Sequence, residues 1–245
     1  MTATKHVAVL GGAGGIGRAL VAALSARGDD VVVLDLPVSL ERHRPSVDAI
    51  EVDIHSEASI DAAMHALAAR SPSLDGFVNL AGYNSMIQPL AETGTDYFDD
   101  ILSGNLRGVF LSTKAVLPLL ADNASVVTVA SGLAHYIRPG HGSYAAAKAG
   151  VIAMSRTFAL ELAPRIRVNI VAPGMVDTAF VRGGTGRSEE SADNQMDMSR
   201  YTATIPFGRI AEPADVVGPI TFLLDDASRY MTGQVLWVNG GAYMP

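Results

Sequence analysis

Val7-Ala8-Val9-Leu10-Gly11-Gly12-Ala13-Gly14-Gly15-Ile16-Gly17 is the stretch that decides the fold. Four apolar residues make a short strand, and five glycines then fall within seven positions. After them Leu20, Ala23 and Leu24 recur at the spacing of one helix face, which predicts a helix over 16–27. Glycine between a strand and a helix lets the backbone turn tightly and approach a pyrophosphate, whose charge sits against free amides at the helix N-terminus. The letters admit two registers. Gly12, Gly14 and Gly17 satisfy G-x-G-x-x-G, while Gly11, Gly15 and Gly17 satisfy G-x-x-x-G-x-G. A Walker A loop is excluded, because Gly17 is followed by Arg18-Ala19 instead of Lys and Ser or Thr. A tight strand–helix turn with no ligand uses the same letters.

Outward from this run, short β-branched stretches recur at 31–34, 49–53, 76–80, 125–129, 167–171 and 235–238. They are continuous apolar runs, the pattern of parallel strands covered on both faces. Helical patterns separate them: 57–69 behind a Ser56 cap, 96–120, 143–162 and 213–224. Strands alternating with helices predict an α/β fold, a single-domain doubly wound sheet of seven mostly parallel strands over residues 1–245. The exception is 180–209, rich in Gly, Ser, Asp and Arg, which reads as a lid over a substrate.

The 245 residues are 49% hydrophobic and 18% charged, with a formal charge of −7, enough apolar material for a sizeable core. An acidic balance disfavours nucleic acid and anionic membranes as partners. No cysteine is present, so disulfides and thiolate chemistry drop out, and a cytoplasmic location is expected. Neither a secretory leader nor a membrane-spanning run is expected. The six histidines are too scattered to predict a metal site.

Three features carry chemistry. Asp35 closes the second strand, where an acid accepts hydrogen bonds from adenosine ribose hydroxyls and repels a 2′-phosphate; this predicts NAD as cofactor. Tyr144 and Lys148 stand four apart in a helical stretch and so share a face. A free phenol has a pKa near ~10, and bringing it to about 7 takes roughly 4 kcal/mol of anion stabilisation. One cation at ~4 Å in an effective dielectric of ~20 supplies about that much. Ser131 leaves the strand at 125–129 at its carboxyl end, where open parallel sheets bind ligands, and its hydroxyl is placed to hold a reacting oxygen. An exposed Tyr/Lys pair and a turn-capping serine are the bland readings.

Taken together, the glycine loop, Asp35, Ser131 and Tyr144/Lys148 resemble the short-chain dehydrogenase/reductase family over essentially the whole chain. Asn79-Leu80-Ala81-Gly82 resembles the family's Asn-Asn-Ala-Gly element with Leu80 in place of the second Asn, and Leu10 stands where many members have threonine. Asn105 matches the asparagine that completes the Asn-Ser-Tyr-Lys tetrad. The resemblance implies a Rossmann fold and hydride transfer between nicotinamide and a secondary alcohol or ketone. In that scheme Tyr144 exchanges the proton, Lys148 lowers its pKa, Ser131 orients the oxygen and Asn105 supports a proton path. Cofactor contacts are implied at Gly11, Gly14, Gly15, Ile16, Gly17, Asp35, Leu36, Asp53 and Ile54. They continue through Asn79, Ala81, Gly82, Tyr144 and Lys148 to Pro173, Gly174, Val176 and Thr178.

The resemblance also implies a homotetramer built through the helices at 96–120 and 143–162, with Phe98, Leu102, Leu106 and Phe110 near one face. It places substrate choice in 83–95, 132–143 and 175–209. Tyr83, Met86, Ile87, Tyr136, Ile137, Met175 and Phe180 are the apolar candidates, and His135, Arg138, His141 and Arg182 the polar ones. An arginine facing the pocket would point to an anionic substituent. Two other readings stay open: an NADPH-dependent reductase of 3-oxoacyl thioesters, and a catalytically inactive dinucleotide sensor.

Overall fold

The computed structural model describes residues 4–182 and 198–244. Seven strands, β1 His6–Leu10, β2 Asp30–Asp35, β3 Asp48–Glu51, β4 Leu74–Asn79, β5 Leu120–Val129, β6 Arg167–Pro173 and β7 Val235–Val238, form one sheet in the order β3-β2-β1-β4-β5-β6-β7. Every pairing is parallel. The order reverses between β1 and β4, which opens a crevice beyond their carboxyl ends.

Alternation along each strand explains the continuous apolar runs. Ala8 and Leu10 enter the core on one face of the sheet, with Ile60 and Leu67 of α3 (Glu57–Arg70). Val7 and Val9 enter the core on the other, with Leu20 and Leu24 of α1 (Gly15–Ala26). A residue here meets apolar neighbours whichever way it points, so no polar face is left. Phe77 is fully buried in the first core, and truncating it to alanine costs about 3–5 kcal/mol.

Of the remaining helices, α2 (Pro37–His43) was not expected: it is seven residues long and buries none of them, so it leaves no hydrophobic period. The single helix expected over 96–120 is instead α4 (Thr95–Leu102), a π-helical turn Ser103–Arg107 and α5 (Gly108–Val116). Its last expected residue, Leu120, already belongs to β5. The register between β4 and β5 shifts between Leu74 and Gly76, and Asn123 takes a left-handed φ of 68°, which extends β5 back through a polar stretch. Phe98, Leu102 and Leu106 are partly buried, whereas Phe110 is exposed and stacks on Phe158 of α6 (Gly142–Leu162) at 6.5 Å.

The expected lid over 180–209 lies partly outside the described residues. Ala179–Arg182 is a 3-10 turn, and α7 (Met198–Thr202) precedes α8 (Pro213–Leu224). Among the described residues, no helix is long and apolar enough to cross a membrane.

Candidate active site

The glycine loop follows β1 and feeds α1. Gly14 caps the helix, and the first bond inside it runs from the Arg18 amide to the Gly14 carbonyl at 2.8 Å. The amides of Gly15, Ile16 and Gly17 in the first turn therefore lack intrahelical partners and make an anion-binding end. A Cβ on Gly17 would stand 2.2 Å from the Gly11 carbonyl oxygen, and one on Gly15 would stand 2.5 Å from Cγ2 of Thr178. Gly11 itself has φ 81°. Gly11, Gly12, Gly15 and Gly17 are all constrained, whereas a Cβ on Gly14 would meet only the Gly11 carbonyl oxygen at 3.3 Å, so G-x-x-x-G-x-G is the register in which every glycine is constrained.

This loop is one end of a cavity of about 360 Å³ beyond the carboxyl ends of the strands. Asp35 and Leu36 reach it from β2, Asp53 and Ile54 from the end of β3, and Ala81 and Gly82 from the end of β4. Pro173, Gly174, Val176 and Thr178 reach it after β6. An elongated cleft with free helix amides at one end and an acid beside them fits a dinucleotide's pyrophosphate and adenosine ribose. Asp35 accepts from the Ala13 amide at 2.9 Å and the Leu36 amide at 2.8 Å, which ties the acid to the glycine loop. Burial raises its carboxyl above the usual range; these two amides, Ser39 and the charge of His43 pull it back.

Sequence reading passed over the cations at this end. The Arg18 guanidinium donates to the Ala13 carbonyl at 3.1 Å and lies 3.0 Å from Nδ1 of His43, and both residues face the cavity with Asp35. A one-turn offset on α1 brings Arg18 alongside a helix that left no sequence signal.

At the other end, Ser131 follows β5, Tyr144 lies in the first turn of α6, and Lys148 lies one turn further. All three face the cavity. Tyr144 is 6% exposed, and its phenol shares the cavity wall with the Ser131 hydroxyl. The Ser131 hydroxyl accepts from the Leu133 amide at 3.2 Å. Lys148 is 2% exposed; its Nζ donates to the Val129 carbonyl at 3.2 Å and stands 5.6 Å from the centre of the Tyr144 ring. Burial pushes the Lys148 ammonium down to about 8. Burial also pushes the phenol above its ordinary value, and the nearby Ser131 hydroxyl only partly opposes that. Desolvation thus outweighs the Lys148 charge at the phenol in the protein by itself.

Two expected site residues turn away from the cavity. Asn105, at the centre of the π turn and fully buried, accepts from the Tyr83 amide at 3.0 Å and donates to the carbonyls of Tyr83 at 2.8 Å and Ile101 at 3.1 Å. The π turn is what lets a helix side chain reach the backbone after Gly82. Asn79 donates to Ser112 at 3.0 Å and accepts from the Ala81 amide at 3.1 Å. Both asparagines fix the backbone of the β4 end instead of facing a ligand. Gly82 joins the two halves: a Cβ there would stand 2.6 Å from Oδ1 of Asn105 and 2.8 Å from Nζ of Lys148.

Among the expected substrate residues, Tyr83, Met86, Ile87, Tyr136, Met175 and Phe180 line the cavity. Ile137 does not; it is 60% exposed. Of the polar candidates, Arg138 and His141 line it, whereas Arg182 pairs with Asp177 and His135 packs on Trp237 at 5.6 Å. Tyr201 and Tyr243 also line it and were missed, because α7 and the C-terminal turn reach this wall only through the tertiary fold.

A sequence profile of the family described as enoyl-(acyl carrier protein) reductase matches residues 11–243. An uncharacterised short-chain type dehydrogenase/reductase from Sinorhizobium fredii is 35% identical over 244 residues, covering 97% of this chain and 43% of that relative. A 3-oxoacyl-(acyl-carrier-protein) reductase from Thermotoga maritima is 34% identical over 250 residues, covering 97% of each chain. Among solved structures, a short-chain dehydrogenase/reductase of the glucose/ribitol dehydrogenase type from Brucella melitensis superposes with a TM-score of 0.88 at 29% identity, over 98% of this chain and 97% of that one. A 3-ketoacyl-(acyl-carrier-protein) reductase from the same organism, complexed with NADH, gives 0.86 at 27% identity over 98% of both.

Proposed function

This chain belongs to the short-chain dehydrogenase/reductase family, and on that footing we propose that it is an NAD(H)-dependent oxidoreductase of a secondary alcohol or its ketone. The observation that carries this reading is that Tyr144, Ser131 and Lys148 face one cleft together with the glycine loop. A nicotinamide dinucleotide, when bound, supplies or takes up a hydride, which no side chain here can do. The free amides of Gly15, Ile16 and Gly17 hold the pyrophosphate, and Asp35 receives the ribose hydroxyls.

In reduction, the carbonyl carbon gains the hydride and the carbonyl oxygen gains the Tyr144 proton, so ketone becomes alcohol with no other co-reactant. In oxidation the same phenol takes the proton from the hydroxyl. Ser131 donates to the reacting oxygen and sets its distance from the phenol. Lys148, charged below about pH 8, biases the phenol toward its anion and binds the nicotinamide ribose. Asn105 is a positioning residue that holds the backbone beside Lys148. The tetramer belongs to the same proposal, and the exposed Phe110 and Leu160 on α5 and α6 support it.

A second reading, reduction of a 3-oxoacyl thioester with NADPH, draws on the names of the Thermotoga and Brucella relatives and on Arg18 and His43 beside the ribose site. One assay separates the two. Absorbance of the reduced nicotinamide is followed with NAD(H) and NADP(H) against secondary alcohols, free ketones and acetoacetyl-CoA. Turnover of free alcohols or ketones with NAD(H) supports the first reading; turnover confined to the thioester with NADPH replaces it.

A further inference from the structure

Arg138 is a cation on the cavity wall at the Tyr144 end, half-buried four residues before the helix that carries the phenol. Its guanidinium lies 5.2 Å from the centre of the Tyr136 ring and 5.1 Å from that of Tyr201. The aromatic faces hold the charge in place but use none of its five N–H donors. Among the described residues no carboxylate pairs with it, although Arg182 and Arg209, close by in the chain segments around the cleft, are paired with Asp177 and Asp215.

Lys148 is the other cation at this end, and its Nζ is bonded to the Val129 carbonyl. Asn84 lies 3.3 Å from Nδ1 of His141, and burial, aided by the Arg138 charge, keeps the His141 imidazole below its ordinary pKa. The cavity's acids, Asp35 and Asp53, stand at the glycine-loop end. A positive fork held by two rings, in a compartment with no acid among its described lining residues at this end, is complementary to a planar anion.

We propose that Arg138 binds a carboxylate of the substrate, so that the molecule reduced or oxidised at Tyr144 is an oxo- or hydroxy-carboxylate. This rests on the oxidoreductase reading above and names its substrate class. A neutral ketone would leave the half-buried guanidinium without a carboxylate partner among the described residues. A thioester would bring its charge only through distant phosphates.

The test pairs acids with their esters: pyruvate, acetoacetate and levulinate against the matching methyl esters, with acetoacetyl-CoA as a further arm. We expect the wild-type kcat/KM to favour the best acid over its ester by about 10-fold or more. In Arg138→Met that ratio is expected to fall about 10- to 100-fold, with Arg138→Lys in between. Circular dichroism checks that each variant is folded, and because the acid/ester ratio compares two substrates on one preparation, a loss of folded protein cancels.

An unchanged ratio in Arg138→Met overturns the proposal, as does an Arg138 effect seen with acetoacetyl-CoA but with none of the acids. If no carbonyl compound is turned over with either cofactor, the oxidoreductase reading has failed, and the Arg138 site is then read by thermal shift. Stabilisation of wild type by levulinate, absent with its methyl ester and absent in Arg138→Met, supports the carboxylate site. No stabilisation overturns it.

Discussion

Lys148 Nζ stands 5.6 Å from the centre of the Tyr144 ring and is anchored from behind by the Val129 carbonyl. The ammonium is thus held near the phenol at a cost to folding, since burial lowers its pKa to about 8 from 10.5. Below about pH 8 the lysine is charged in both folded and unfolded chains, and the full desolvation cost is present. As pH rises from about 8 to 10.5 the folded chain gives up its proton first, so the unfolded state binds more protons and the cost fades. We expect Lys148→Met to lose turnover yet melt higher at pH 7, on the order of 5 °C, with the difference closing toward pH 10.5. Melting curves across that range decide it; a variant less stable than wild type at pH 7 would show that the Val129 bond outweighs desolvation.

The adenosine end yields a prediction about cofactor choice. Asp35 supplies the negative charge that opposes a 2′-phosphate, while Arg18 and His43 already face the same cavity. Asp35→Ser is expected to shift the NADPH/NADH ratio of kcat/KM toward NADPH by roughly 100-fold, with no added cation. A ratio within a few-fold of wild type would place the discrimination elsewhere.

Gly17→Ala tests the close packing of the glycine loop. The new Cβ would meet the Gly11 carbonyl oxygen at 2.2 Å and the Gly12 backbone at 2.6 Å, atoms that cannot swing aside. NADH affinity, read by fluorescence titration, is expected to fall about 100-fold or more. Binding within about 5-fold of wild type would mean that the loop has room the geometry does not give it.

Much of this architecture is written locally in the chain. The sheet was legible because its central strands carry continuous apolar runs between helical periods, and the glycine loop because five glycines crowd seven positions. What escaped has physical reasons. Helix α2 buries nothing, so it prints no period. The π turn at Asn105 keeps helical periodicity on both sides and hides the extra residue inside one apparent helix. Asn105 was legible as a residue of the site but not in its orientation, because its partners, the Tyr83 backbone groups, lie 22 positions away. Tyr201, Tyr243 and the packing of Arg138 on Tyr201 arise from contacts between distant segments, which no window of sequence contains.

The central claim is that the Tyr144 phenol carries the proton while the rest of the cleft holds cofactor and substrate. Tyr144→Phe keeps the ring that packs on Phe180 at 5.8 Å and removes only the hydroxyl, so the fold and the dinucleotide cleft should persist. Steady-state turnover and NADH titration of this one variant, on the same preparation, form the decisive measurement. We expect kcat to fall by ~10³-fold or more while the NADH Kd stays within about 3-fold of wild type. Retention of more than about a tenth of the wild-type rate would show that the proton travels through another group.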